Sequence, residues 1–182
     1  MSKPNFEIED KTGKKYWISR SIVVAPVVLI VSGNTIYTLI EKRGNAVSNT
    51  GKWCVPCGYL DWDETLEDAC IREIKEETGV NINPSDVFFI GCNSEPSESR
   101  QNVSMRFCCF ASPYDVSINV SNFTPNDEVD ELRWIRVGWF ERNNVIKVDN
   151  ESIGDYNWAF NHNELIITVL DKFYGNNFNI ML

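Results

Sequence analysis

Glu73, Glu76 and Glu77 crowd the end of a stretch that reads WCVPCGYLDWDETLEDACIREIKEETGV from Trp53 to Val80. Carboxylates gathered this closely suit one kind of chemistry. Their oxygens can hold a hard divalent cation, and such a cation shares its remaining positions with water and phosphate. The second half of the stretch predicts a helix. Asp63 is the expected N-cap, Glu64 and Glu67 fall in the first turn, and Gly79 is the expected stop. At about 100° per residue, Leu66, Ala69, Cys70, Glu73, Glu76 and Glu77 share one face. An apolar stripe therefore becomes a carboxylate cluster without leaving that face. The glutamates repel one another, and they sit at the helix end that favours cations. Most charge runs on helices are solvated surface. This one follows the apolar stripe, fills the last two turns, and is preceded by the Pro56-Cys57-Gly58 turn, which can bring backbone carbonyls to the same place.

The spacing resembles the signature of the Nudix hydrolases. That signature is Gly, five residues, Glu, seven residues, Arg-Glu, an aliphatic residue, any residue, Glu-Glu, any residue, Gly and an aliphatic residue. Here it is met by Gly58, Glu64, Arg72-Glu73, Ile74, Glu76-Glu77, Gly79 and Val80. One flanking position departs: the family often has Pro-Gly-Gly before the helix, and this chain has Pro56-Cys57-Gly58. The resemblance implies an α/β fold, an α/β/α sandwich around a mixed sheet, with the signature as a loop-helix-loop. It implies Mg²⁺, with Mn²⁺ as a substitute, held by Glu73, Glu76, Glu77 and the carbonyl of Gly58. Arg72 matches the arginine that holds a signature glutamate in place, and Glu64 supports the site from behind. Many members use one more glutamate, from a later loop, as metal ligand or base. Glu128, in TPNDEVDELRW, is preferred over Asp127, Asp130 and Glu131 because it lies six residues before Trp134. Glu73, Glu76, Arg72 and Glu128 are thus the expected catalytic set.

The implied reaction is hydrolysis of a pyrophosphate bond in a nucleoside diphosphate linked to another group. ADP-ribose, a dinucleotide, a nucleotide sugar and a nucleoside triphosphate all fit. Water attacks phosphorus and a carboxylate takes its proton. Selection of the substrate falls to loops outside the signature, at 43–52, 93–100 and 112–130. Tyr16, Trp17, Arg20, Arg43, Arg100, Gln101 and Trp158 could stack on a base or grip phosphate, with Arg100 and Arg20 placed first because an acidic protein still needs cations near a diphosphate. Two other classes compete: a non-catalytic nucleotide-sensing module, and an interaction protein in which the acidic helix is only a surface. Regulators of the first kind usually carry a DNA-binding domain or a damaged signature, and the sequence shows neither.

The elements that must position these residues fit one domain over the 182 residues. The net charge of −9 argues against binding nucleic acid polymers. The N-terminal residues have no apolar signal region, and the run from Ile22 to Val31 is too short to span a membrane. A cytoplasmic chain with reduced cysteines is expected, and a homodimer is open because dimers are frequent in the family. Of the six cysteines, Cys54 and Cys57 form a C-x-x-C. With no second pair, and with the one histidine far along the chain at His162, they read as small residues in a turn.

Residues 1–15 read as a loose tail or edge strand. Tyr16 to Ser32 reads as a buried strand with Pro26 at a bulge or edge, turning at Gly33-Asn34 into a second strand, Thr35 to Lys42. Strands follow at Val87–Cys92, Gln101–Ala111 and Glu131–Val137, with a short one at 116–120. A helical turn is expected at 138–144, irregular chain at 145–155, and a second helix at Asn163–Tyr174.

Overall fold

The computed structural model describes residues 4–45, 47–96, 101–112, 122–141 and 146–175. The apolar run near the N-terminus forms the central strand of the sheet. This is β3, Ser21–Ser32, which follows a separate hairpin of β1, Phe6–Glu9, and β2, Lys15–Ile18. The expected single strand from Tyr16 is therefore broken before Ser21, and part of the expected tail is paired.

The main sheet adds β4, Thr35–Arg43, and the two-residue strands β5, Trp53–Cys54, and β6, Gly58–Tyr59. It is completed by β7, Val87–Asn93, β8, Asn102–Phe110, β9, Val129–Phe140, and β10, Ile146–Val148. The order is β10-β9-β4-β3-β8-β7, with β5 on β4 and β6 on β3. The β3–β8 pair is parallel and the other pairs are antiparallel, so the sheet is mixed.

Side chains of β3 alternate between two cores. Val24, Val28 and Ile30 pack with Ala69, Cys70 and Ile74 of α1, Leu66–Thr78. Ala25, Val27 and Leu29 pack with Leu165, Ile166, Val169 and Leu170 of α3, His162–Tyr174. Both faces are covered, so the strand reads as continuous hydrophobics. The result is the expected α/β class, with a mixed sheet between helices.

Pro26 lies inside β3, at neither an edge nor a bulge. On the β4 side, β3 pairs with β6 at Val23–Val24 and with β4 only from Leu29 onward, so Pro26 falls in the gap between them. A residue without an N–H is tolerated where no ladder bond is required. The same fork opens a space beside Gly58. Strand β9 continues through Gly138 to Phe140 in place of the expected helical turn. Pairing with β10 extends it, and a short helix α2, Asn150–Gly154, replaces irregular chain. The strand expected at 116–120 lies outside the described residues. Among the described residues, no helix is long and apolar enough to cross a membrane.

Candidate active site

Helix α1 begins later than its acidic prelude suggests. Its cap is Thr65, not Asp63: the Thr65 hydroxyl accepts from the Asp68 N–H at 3.1 Å and donates to the Asp68 carboxylate at 2.8 Å. Glu64 therefore precedes the helix and is free to fold back over it. Gly79 ends the helix with φ of 74°, a left-handed conformation that glycine adopts without a Cβ penalty.

Arg72 organises the carboxylates. Its Nε and Nη2 grip Glu64 at 3.0 and 2.6 Å, and Nη2 also donates to the Tyr59 carbonyl at 2.9 Å. Its Nη1 reaches Glu73 at 2.7 Å and Glu76 at 3.1 Å. Asp61 adds a longer ion pair at 3.9 Å. One guanidinium thus faces four carboxylates. The hydrogen bonds to Glu64 and then Glu73 push the Arg72 pKa up, and Arg72 in turn holds Glu64 down. Glu73 is different. Burial raises its pKa, and the charges of Glu76 and Glu128 add to this despite Arg72.

Glu73 and Glu77 are buried, whereas the Glu76 side chain remains 60% exposed. The Glu77 carboxylate accepts the Cys57 N–H at 2.8 Å. Gly58 touches the Glu73 carboxylate so closely that a Cβ there would overlap it. The turn before the helix thus fixes two of the glutamates by backbone contact. Glu128 is exposed and comes from the turn before β9. Its carbonyl accepts the Gly44 N–H at 2.6 Å, and its charge is felt at Glu73.

A cavity of about 520 Å³ opens beside Gly58. Arg20, Arg43, Arg106, Phe160 and His162 line it. Arg20 donates to the carbonyls of Ser94, at 2.5 Å, and Asn102. Arg106 was missed in the sequence. Its Nε is buried with no hydrogen-bond partner among the described residues. The available signal was the alternation along β8, which puts Asn102, Ser104 and Arg106 on the cavity face. Tyr16, Trp17, Gln101 and Trp158 do not line the cavity, and Trp158 instead donates to the Ile153 carbonyl at 2.7 Å. Arg100 lies outside the described residues.

The NUDIX domain family pattern matches residues 21–155, a span that contains β3, the Gly58 turn, α1 and Glu128. The chain belongs to the NUDIX domain family. Among its relatives, m7GpppN-mRNA hydrolase NUDT17 of Danio rerio is 36% identical over 70 residues, covering 38% of this chain and 23% of that protein. Phosphatase NudJ of Escherichia coli K12 is 23% identical over 144 residues, covering 74% and 92%. The first two curated relatives are much longer proteins, of which this chain spans 23% and 28%. Among solved structures, the NUDIX domain of Shewanella oneidensis NrtR, complexed with ADP ribose, superposes with a TM-score of 0.62 at 18% identity, covering 90% of this chain and 92% of that one. That likeness shows the shared fold.

Behind the Nudix helix lies a second ionisable group of residues. Glu41 of β4 is fully buried and accepts from the Cys54 thiol at 3.3 Å. Burial and the neighbouring Cys57 push its pKa up to about 8. Burial, then Glu41, also raises Glu77, with the Cys57 N–H partly offsetting this. Burial, and then the charges of Arg43 and Arg106, drive the His162 pKa down to about 3, so its ring is neutral. The folded chain keeps the Glu41 proton up to about pH 8, whereas the unfolded chain releases it near 4.5. Between those values the folded state binds more protons, so this group's contribution to stability falls as pH rises. Melting curves of EDTA-treated protein from pH 5 to 8 should show that decline, and Glu41→Gln should flatten it. An unchanged slope in the variant would remove Glu41 as the buried proton carrier.

Proposed function

We propose that this chain is a divalent-cation-dependent pyrophosphohydrolase, cleaving the P–O–P linkage of a nucleoside diphosphate joined to another group. The observation that carries this is the Arg72 network. Four carboxylates are held against a single cation, beside a cavity lined with arginines. Glu73 and Glu76 each give Arg72 one oxygen and keep the other outside that bond. The surplus negative charge fits a bound cation, and all-oxygen donors select Mg²⁺, with Mn²⁺ as a substitute. Gly58 through its carbonyl, Glu73, Glu76 and Glu77 would hold it. Once bound, such an ion neutralises pyrophosphate charge and lowers the pKa of a coordinated water.

The chain's own groups do the rest. Arg72 and the Cys57 N–H keep the glutamates in place, so little reorganisation remains when substrate arrives. Glu128, exposed and facing Glu73, takes the proton of the attacking water. Arg106 and Arg20 meet the phosphate oxygens in the cavity, and Phe160 offers a ring face to a base.

The relatives support the class of substrate and differ on its identity. One is named an mRNA cap hydrolase, one a phosphatase, and a structural neighbour was complexed with ADP ribose. The test is a panel of ADP-ribose, dinucleoside polyphosphates, a nucleotide sugar, a capped dinucleotide and nucleoside triphosphates, with Mg²⁺ and with EDTA. Products formed in ¹⁸O water identify the phosphorus attacked. Binding of a nucleotide with no turnover of any panel member would favour a sensing module instead.

Arg72 separates positioning from charge. Lysine keeps the charge but loses the fork that holds Glu64, Glu73 and Glu76 together. Arg72→Lys is expected to lower kcat by about 10- to 100-fold with little change in KM, as measured by steady-state kinetics. Wild-type kcat in the variant would mean that the guanidinium network is only a surface ion pair.

A further inference from the structure

The C-x-x-C that the sequence left as a turn is joined in the structure by the chain's one histidine. Cys54 ends β5, Cys57 lies in the turn before Gly58, and His162 is the first residue of α3. The loop before α3 runs back along β5, where Trp53 N–H donates to the Asn157 carbonyl and Ala159 N–H to the Trp53 carbonyl, both at 2.8 Å. Phe160 and Asn161 then both take left-handed φ values of 56°. Two such residues in succession are costly unless the surroundings require them. They turn the chain so that the His162 imidazole enters beside the cysteines, where its Nδ1 accepts the Val55 N–H at 3.1 Å.

One potential ligand atom from each of Cys54, Cys57 and His162 lies within 4.8 Å of the other two. A tetrahedral zinc site, with Zn–S of about 2.3 Å and Zn–N of about 2.0 Å, needs ligand separations of about 3.5–3.8 Å. The three groups need a small closure, and His162 must give up the Val55 N–H bond at Nδ1 so that a ring nitrogen can face the ion. We propose that Cys54, Cys57 and His162 form a second metal site, for a thiophilic divalent cation of the zinc class, distinct from the carboxylate site on α1. Two sulfurs and an imidazole select zinc over magnesium.

The surroundings fit that assignment. On binding, each thiol releases its proton to solvent, and two thiolates with a neutral imidazole balance the charge of the ion. Arg43 Nη1, 3.6 Å from Cys54 Sγ, would oppose a bare cation, but a metal-bound thiolate accepts its N–H. Cys57 and His162 line the 520 Å³ cavity, which provides an entry path. Three protein ligands leave a fourth tetrahedral position, turned to that cavity and open to water or a substrate oxygen. Cys57 is also the position at which the signature's usual flanking glycine is replaced. The site does not depend on the carboxylate assignment.

Titration of the purified, reduced chain with Co²⁺ is the test. The expected result is a thiolate-to-cobalt charge-transfer band, erased by Zn²⁺. It should persist in Glu73→Gln and Cys92→Ser, and binding should weaken at least about tenfold in Cys54→Ser and in Cys57→Ser. A second measurement uses only the wild type: Zn²⁺ should protect Cys57 from alkylation, read by peptide mass spectrometry, while exposed Cys92 keeps reacting. Absence of the band, its survival in Cys57→Ser, or unprotected Cys57 would each overturn the site. Loss of the band in Glu73→Gln would show that the thiolate-bound ion is not distinct from the carboxylate site and overturn the proposal equally.

Discussion

Gly58→Ala is expected to lose activity by about 100-fold while the protein stays folded. The three nearest neighbours of an added Cβ are all atoms of the Glu73 carboxylate, and each lies closer than non-bonded atoms can approach. Something must move, and the flexible end of Glu73 moves more readily than strand β6, which is paired with β3 at Val24. The Gly58 backbone is not in the left-handed region, so alanine adds no strain of that kind. Glu73 would swing off both Arg72 and the Gly58 carbonyl, removing two of the proposed cation ligands from register. Misplacement by about 1 Å costs on the order of 100-fold, or about 2.7 kcal/mol of barrier. The fold should lose about 1 kcal/mol, a Tm shift of about 2–4 °C for a chain this size. Kinetics across a Mg²⁺ series, with a melting curve beside it, separates the two effects. Wild-type kcat with wild-type Mg²⁺ dependence would show that the Gly58–Glu73 contact has no part in catalysis.

The same contact shows what could be read from sequence and what could not. The spacing from Gly58 to Val80 placed the helix and its Gly79 stop, because those depend on residues close along the chain, and the family resemblance supplied the Arg72–glutamate relation. The apolar run of β3 announced a buried strand. Three kinds of error remained. Helix start is a competition among Asp63, Glu64 and Thr65, and the winner is decided by which side chain meets the Asp68 N–H while Glu64 is recruited by Arg72. Pro26 reads as an edge marker, but a fork in pairing gives it a place in the centre. The third kind is long-range convergence. Cys54 and His162 are more than half the chain apart, and Arg106 shows as one polar position in an alternating strand. Only the sheet order and the two left-handed residues before α3 bring His162 and Arg106 to one cavity, with Cys54 beside His162.

Glu76→Gln and Glu77→Gln are expected to fail alike in activity and to differ in stability. Each removes one anionic oxygen donor from the proposed cation site. Loss of several kcal/mol of charge stabilisation in the transition state corresponds to about 10²–10³ in kcat. Their settings differ. Glu76 is exposed and touches only one arm of Arg72, so its metal-free stability should stay within about 0.5 kcal/mol of wild type. Glu77 is buried against Glu41, and its carboxylate is disfavoured first by burial and then by that neighbour. Glutamine keeps an oxygen for the Cys57 N–H and removes the charge. The metal-free Glu77→Gln protein should therefore melt at or above the wild-type temperature at pH 8. Cation binding at the proposed site should stabilise wild type by about 2.7 kcal/mol at 100 times Kd, or roughly 5–10 °C in this size range. Both variants should lose most of that shift. Melting curves with EDTA and with saturating Mg²⁺, run beside the kinetic assay, read all of these quantities. A Glu77→Gln protein that melts well below wild type without metal would show that Glu77 is a structural hydrogen-bond acceptor. A full Mg²⁺ shift in either variant would move the cation away from that residue.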